Sequence, residues 1–206
     1  MLALLLLLGC LDSTPTDSGT APLTPPPVTA DGEHVAITTP QGVMVVGLYR
    51  TEAPISTDNF LAYVTAGFYD GSDGDGATVI HRVEPGFVIQ GGGERADGSA
   101  KATFPPIVNE ASTSGLSNVR GTLAMARTSD PNSATSQWFV NLVNNPGLDA
   151  NPDDGSPGYA VFGIVVSGLE VVDDIAGVPT SGSRPIEPIP ILDATMTDPP
   201  GTSGSP

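Results

Sequence analysis

Two side chains in this 206-residue chain are spaced to act together on a peptide group: the guanidinium of Arg82 and the amide of Gln90. They lie in Val79-Ile80-His81-Arg82-Val83-Glu84-Pro85-Gly86-Phe87-Val88-Ile89-Gln90-Gly91-Gly92-Gly93. β-Branched and aromatic residues flank Glu84-Pro85-Gly86, so the segment reads as two strands around a tight turn. A simple hairpin across residues 84–86 pairs Arg82 with Val88. It sets Ile80, Arg82, Val88 and Gln90 on one face of the ribbon. A fixed cation, an amide and apolar groups on one face suit a peptide carbonyl lying beside a nonpolar ring. The competing reading of Arg82 is a surface arginine paired with an acid such as Glu84.

Other chemistries are poorly supplied. Parity with Val79 and Val83 turns His81 to the opposite face, and the only other histidine, His34, stands at the domain's edge. No Gly-x-Ser-x-Gly elbow accompanies His81, which disfavours a Ser-His-Asp hydrolase, and a zinc site lacks ligands. Gly91-Gly92-Gly93 has no Gly-Lys-Ser/Thr sequel, so it reads as a close backbone approach and not as a phosphate loop. Asp70-Gly71-Ser72-Asp73-Gly74-Asp75-Gly76 carries calcium-like acids without a glutamate in EF-hand spacing. It reads as a flexible acidic loop, and a calcium-dependent adhesion protein stands as an alternative class.

The elements that must position these residues are mostly short strands. Val35–Thr39 and Val43–Leu48 flank Thr39-Pro40-Gln41-Gly42, whose proline and glycine suit a type I turn and a hairpin. A helix follows, with Ser56 as cap, Asp58 in the first turn and Ile55 with Phe60 as a hydrophobic staple. Phe60, Leu61 and Val64 form its buried stripe, and Gly67 its stop. A second, weaker helix spans Leu169 to Ala176. Strands broken by glycine and proline fill the rest, which makes the fold mainly β, a barrel or a sandwich.

The segment above, together with Gly121-Thr122-Leu123-Ala124-Met125-Ala126-Arg127 and Ser136-Gln137-Trp138-Phe139-Val140, resembles the cyclophilins, and most of all their bacterial periplasmic branch. The similarity runs from Glu33 to Thr195, and its motifs are long, ordered and correctly spaced. The resemblance implies an eight-stranded antiparallel closed barrel capped by two helices. It implies a peptidyl-prolyl cis-trans isomerase that acts on proline-containing polypeptides without cofactor or metal. It makes Arg82 the catalytic arginine, with Phe87 and Gln90 beside it. Val88, Ala126, Arg127, Gln137, Phe139, Leu148 and Tyr159 take the substrate-binding positions. For Phe87, simple parity disagrees with this, so the hairpin must bend or bulge near its turn. Gly147 stands where the family has Trp or Phe on the rim, a departure that implies weak cyclosporin binding. A non-catalytic module that grips proline segments is the alternative function.

Composition narrows the partners. A formal net charge of -16, from 23 acidic and seven basic residues, disfavours nucleic acid and anionic membrane surfaces. Arg82, Arg95, Lys101, Arg120 and Arg127 cluster in the centre, where Arg95, Lys101 and Arg120 read as balancing acids on solvated loops. Cys10 is the only cysteine, which excludes an intramolecular disulfide. It ends an apolar run too short to span a bilayer, and Leu7-Leu8-Gly9-Cys10 resembles a lipoprotein lipobox. The expected organisation is a signal over 1–10 with Cys10 lipidated, a Ser/Thr/Pro tether over 11–32, a domain over 33–196 and a tail over 197–206. The expected protein is a monomer of the bacterial cell envelope, held at the periplasmic side through Cys10.

Overall fold

A computed structural model describes residues 32–201. The signal with Cys10, nearly all of the tether, and residues 202–206 lie outside the described residues. In chain order the elements are β1 (His34–Thr39), β2 (Gly42–Leu48), α1 (Pro54–Thr65), β3 (Val79–Glu84), β4 (Val88–Gly91), α2 (Ala111–Ser114), β5 (Thr122–Met125) and β6 (Trp138–Asn141). A 3-10 turn at Pro146–Leu148 follows, then β7 (Val161–Ser167), α3 (Leu169–Ala176), β8 (Thr180–Ser181), β9 (Arg184–Pro185), β10 (Ile189–Pro190) and β11 (Asp193–Thr197). β11 ends at Thr197, one residue beyond the expected domain boundary.

Nine of these strands form one antiparallel sheet in the order β10-β3-β4-β6-β5-β7-β2-β1-β11, and β8 pairs with β9 apart from it. This corrects the expected closed eight-stranded barrel with two helices in its details and keeps the architecture. The sheet's two edges, β10 and β11, are separated along the chain only by Ile191 and Leu192. Ile191 N–H donates to Thr78 O at 2.9 Å on one edge, and Leu192 N–H to Thr38 O at 2.8 Å on the other. The chain itself therefore bridges the seam.

Alternation puts one face of each strand inside. Val35 pairs with Val46 and Ile37 with Met44, and all four are buried. They join a core with Phe60, Tyr63, Tyr69, Trp138 and Phe162. Phe60 and Phe162 are fully buried, which stabilises the fold by about 1.5–3 kcal/mol each relative to exposure. Their rings lie 5.2 Å apart and fasten α1 to β7.

The start of α1 departs from the sequence reading. Pro54 occupies the first turn, where its missing N–H costs nothing. Ser56 lies inside the helix and not at its cap, and Ile55 is exposed, so no staple forms. The end is capped from a distance by the buried Glu110. Its carboxylate accepts from Ile55 N–H at 3.0 Å, Ser56 N–H at 2.7 Å and Ser56 Oγ at 2.7 Å. Three donors at the positive end of a helix suit a buried carboxylate.

Lys101 is the second correction. It is 4% exposed, and its ammonium sits in the acidic loop. There it donates to Phe68 O at 2.8 Å, Gly76 O at 2.7 Å and Asp73 Oδ1 at 3.0 Å. Burial alone would raise the Asp73 pKa, but the hydrogen bond and charge of Lys101 hold it below the ordinary aspartate value. The loop that looked calcium-like thus carries a cation of its own. Arg95 and Arg120 keep their expected surface roles, paired with Asp75 and Asp173.

Candidate active site

The register of β3 and β4 aims the first side chains. Glu84 pairs with Val88, Val83 with Ile89 and Arg82 with Gln90. The turn therefore lies one residue later than the simple hairpin, and Arg82 faces Gln90 instead of Val88. Phe87 N–H donates to Glu84 O at 2.9 Å, with Pro85 second and Gly86 third at φ +76°. Those features define a type II turn. Phe87 thus belongs to the turn and escapes strand parity, which resolves its conflict with Arg82. The arginine's guanidinium carbon lies 5.9 Å from the Phe87 ring centroid.

A second irregularity falls at His81, because Ile80 pairs with Gly91 while Arg82 pairs with Gln90. The extra residue reverses parity, and Ile80 joins the core with Val83 and Ile89 instead of sharing the face of Arg82. His81 is partly buried near Glu94, Arg184 and Arg82. Burial favours its neutral ring and lowers its pKa below the ordinary histidine value.

Arg82, Phe87, Val88, Gln90, Ala126, Arg127, Phe139, Leu148 and Tyr159 line one cavity of about 150 Å³. Nine of the ten site residues expected from the sequence are therefore brought together. Phe139 is 4% exposed, on β6 opposite Gln90, and its ring packs edge-on to Tyr159 at 5.7 Å. Gln137 is the exception. It lines a neighbouring hollow of about 160 Å³ with Thr128, Ser133 and Thr135, and Gln90, Ala126 and Arg127 are common to both.

Hydrogen bonds fix the lining. Gln90 Nε2 donates to Gln137 Oε1 at 2.9 Å, and Arg82 Nη1 approaches Gln90 Oε1 at 3.4 Å. Arg82 Nη2 also faces Glu84 Oε1 at 3.4 Å, and Ser183 Oγ donates to that same oxygen. The Ser183 hydrogen bond, with the nearby Arg82 charge, holds the Glu84 pKa below the ordinary glutamate value. Buried Asn118 donates to Leu148 O and Tyr159 O, each at 3.2 Å, and so holds two separate rim residues together. Asn145 Nδ2 ties down the Phe87 carbonyl at 3.1 Å. Behind the site a Cβ on Gly93 would overlap the Gln137 side chain, and one on Gly92 would stand 2.8 Å from Trp138 Nε1. The glycine run is a close backbone approach, as expected.

The arrangement is a small apolar hollow with a guanidinium and an amide on its edge. Apart from the Tyr159 phenol its lining carries no hydroxyl, thiol or amine, and no group of three or more His, Cys, Asp or Glu side chains that could hold a metal occurs among the described residues. It can hold a ring and act on the adjoining amide.

Residues 34–196 match the family model of the cyclophilin type peptidyl-prolyl cis-trans isomerases. The chain belongs to that family. Isomerase A of Dickeya dadantii is 48% identical over 157 residues, covering 76% of this chain and 78% of the relative. The peptidyl-prolyl isomerase of Acinetobacter baylyi is 53% identical over 147 residues, covering 71% and 73%. A cyclophilin-type isomerase of Cryptosporidium parvum, crystallised in the presence of the dipeptide Ala-Pro, has a similar structure. Its TM-score is 0.62 at 29% identity, with 80% of this chain and 98% of that one covered.

This cyclophilin is a peptidyl-prolyl cis-trans isomerase, and its substrates are proline-containing polypeptides. Gly147 precedes Leu148 of the lining and faces open space, since a Cβ there would meet no atom within 4 Å. Sequence reasoning missed the Ser183–Glu84–Arg82 chain of contacts and the hydroxyl lining of the second hollow. Ser183 is 99 residues from Glu84, and no local pattern announces the contact.

Proposed function

We propose that Arg82 is the catalytic group, acting on an X-Pro bond whose ring lies in the 150 Å³ cavity against Phe139. The observation that carries this reading is the shared cavity: the guanidinium of Arg82, the amide of Gln90 and the Phe139 ring line one space. Rotation about the bond faces about 18–20 kcal/mol of amide resonance. Unaided it takes tens to hundreds of seconds, so millisecond turnover needs roughly 10⁴–10⁵-fold, or about 5.5–7 kcal/mol. No covalent step is required. The site must bind the twisted amide better than either planar isomer.

Arg82 would donate to the prolyl nitrogen as its lone pair leaves conjugation, an interaction absent from the planar states. Phe87, Val88, Phe139 and Leu148 keep the ring dry, while Tyr159 braces Phe139. Gln90, Gln137 and the backbone at Ala126 and Arg127 hold the rest of the peptide while one side turns. The dipeptide in the Cryptosporidium crystal is of the same substrate class. NMR exchange on a proline peptide tests the assignment, and full activity in Arg82→Ala would remove Arg82 from the mechanism.

The natural substrates in this reading are secreted or envelope polypeptides, met by a monomer at the periplasmic face of the cell envelope. The support is Leu7-Leu8-Gly9-Cys10, a lipobox-like sequence that would make Cys10 the lipid anchor. Labelling of expressing cells with a fatty-acid analogue tests it: label retained in Cys10→Ser rules the anchor out. Cyclosporin binding is weak in this reading, because Gly147 gives no ring to the rim.

A further inference from the structure

All seven basic side chains of this protein lie among the described residues. Six of them stand within ion-pair distance of a carboxylate. Among the described residues, Arg127 alone does not. Its Nε and Nη2 donate to Gly158 O at 3.0 and 2.9 Å, and its Nη1 to Thr128 O at 2.9 Å. Its guanidinium carbon stands 4.2 Å over the Tyr159 ring. Carbonyls and a ring face orient the group and occupy three of its five N–H donors, but none supplies a full negative charge. In a chain with 23 acidic residues, that leaves the positive charge of Arg127 open to a partner from outside.

Arg127, with Gln90 and Ala126, lines both the first cavity and the second hollow. The lining of that hollow holds hydroxyl and amide residues together with Arg127, and no carboxylate. The acid nearest in sequence, Asp130, turns its carboxylate to Asn132 N–H at 2.9 Å and takes no part in the lining. Thr128 Oγ1 donates to Ser133 Oγ and Ser133 Oγ to Asp130 O, so the uncompensated cation, and not these hydroxyls, is what would receive a carboxylate. The two spaces share residues, so one extended peptide enters both within a few residues of its proline, at about 3.3–3.6 Å per residue.

We infer that Arg127 makes this isomerase select proline segments with an Asp or Glu side chain within three residues of the proline, its carboxylate lying in the second hollow. The inference rests on the reading that the proline occupies the first cavity. Half-exposed charge pairs are weak, so the discrimination is about two- to fivefold.

The test is NMR exchange on peptides with one Ala-Pro bond, carrying Ala, Glu or Lys at each of three positions on either side. At one position or more, Glu should raise kcat/KM two- to fivefold over Ala, and Lys should lower it. The Glu preference should fall to about one in Arg127→Gln, survive in Arg127→Lys, and shrink as salt shortens the Debye length from about 10 Å to about 3 Å. Should Arg127→Gln fail to fold, the lysine variant and the salt series on the unaltered protein decide. A flat Glu/Ala ratio at every position, or one unchanged in Arg127→Gln, overturns the inference. If Arg82→Ala still lowers turnover about tenfold or more in that case, the proposed mechanism stands and only the selectivity is lost. Full turnover in Arg82→Ala would instead refute the underlying mechanism.

Discussion

Replacing Arg82 by alanine probes the mechanism most directly. In the site its guanidinium can reach a twisted prolyl amide only as a charged donor, worth about 1.5–3 kcal/mol net. A donor in a sealed site is worth about 2.7–4 kcal/mol. The Arg82 side chain is 39% exposed, so water shares its charge and the lower range applies. At about 1.36 kcal/mol per factor of ten, turnover should drop about 10- to 150-fold. The loss should appear in kcat with KM nearly unchanged, because the contact forms only as the bond twists. Stability should barely move. The ion pair with Glu84 is solvent-exposed and the contact with Phe87 is long, together worth less than about 1 kcal/mol, or a Tm shift under about 4 °C. The assay is NMR exchange on an Ala-Pro peptide, with thermal denaturation as the control. A folded variant retaining activity within about threefold of the parent would falsify the assignment.

Four further outcomes follow from the structure. Lys101→Met keeps the buried stem but leaves Asp73 and the carbonyls of Phe68 and Gly76 without their donor; it should cost about 2–4 kcal/mol, seen as a Tm lower by about 5–15 °C. Calcium should leave the Tm of the parent unchanged, and a calcium-dependent rise would mean that the Lys101 ammonium does not fill the loop. His81 has a folded pKa below its ordinary value of about 6.5, so the folded state binds fewer protons there than the unfolded. Its stabilising effect is complete above about pH 6.5 and is lost as the pH falls below it, at no more than about 1.36 kcal/mol per pH unit. His81→Phe should flatten that part of the Tm–pH curve and leave the carboxylate losses at lower pH; an unchanged curve refutes the assignment. Gly147→Trp has open space for a ring and should tighten cyclosporin binding by fluorescence titration, and unchanged affinity would sink the account of the rim.

The sequence by itself determined what depends on neighbours along the chain. Thr39 to Gly42 made the first hairpin, Leu169–Ala176 the last helix, and the ordered motifs brought nine of ten expected residues to one cavity. It placed Phe87 through family resemblance while strand parity objected. Tertiary structure decided the rest. Parity holds only within an unbroken ladder, and the register break at His81 sent Ile80 to the core while the turn released Phe87 toward Arg82. The cap of α1 comes from Glu110, 55 residues beyond Ile55, and the partner of Glu84 from Ser183, 99 residues on. Whether a charge is compensated is likewise a property of assembled space: Lys101 found carbonyls and Asp73 inside the acidic loop, and Arg127 found carbonyls and a ring. Composition counts charges, but closure of the sheet fixes the distances between them, and the Coulomb energy depends on those distances.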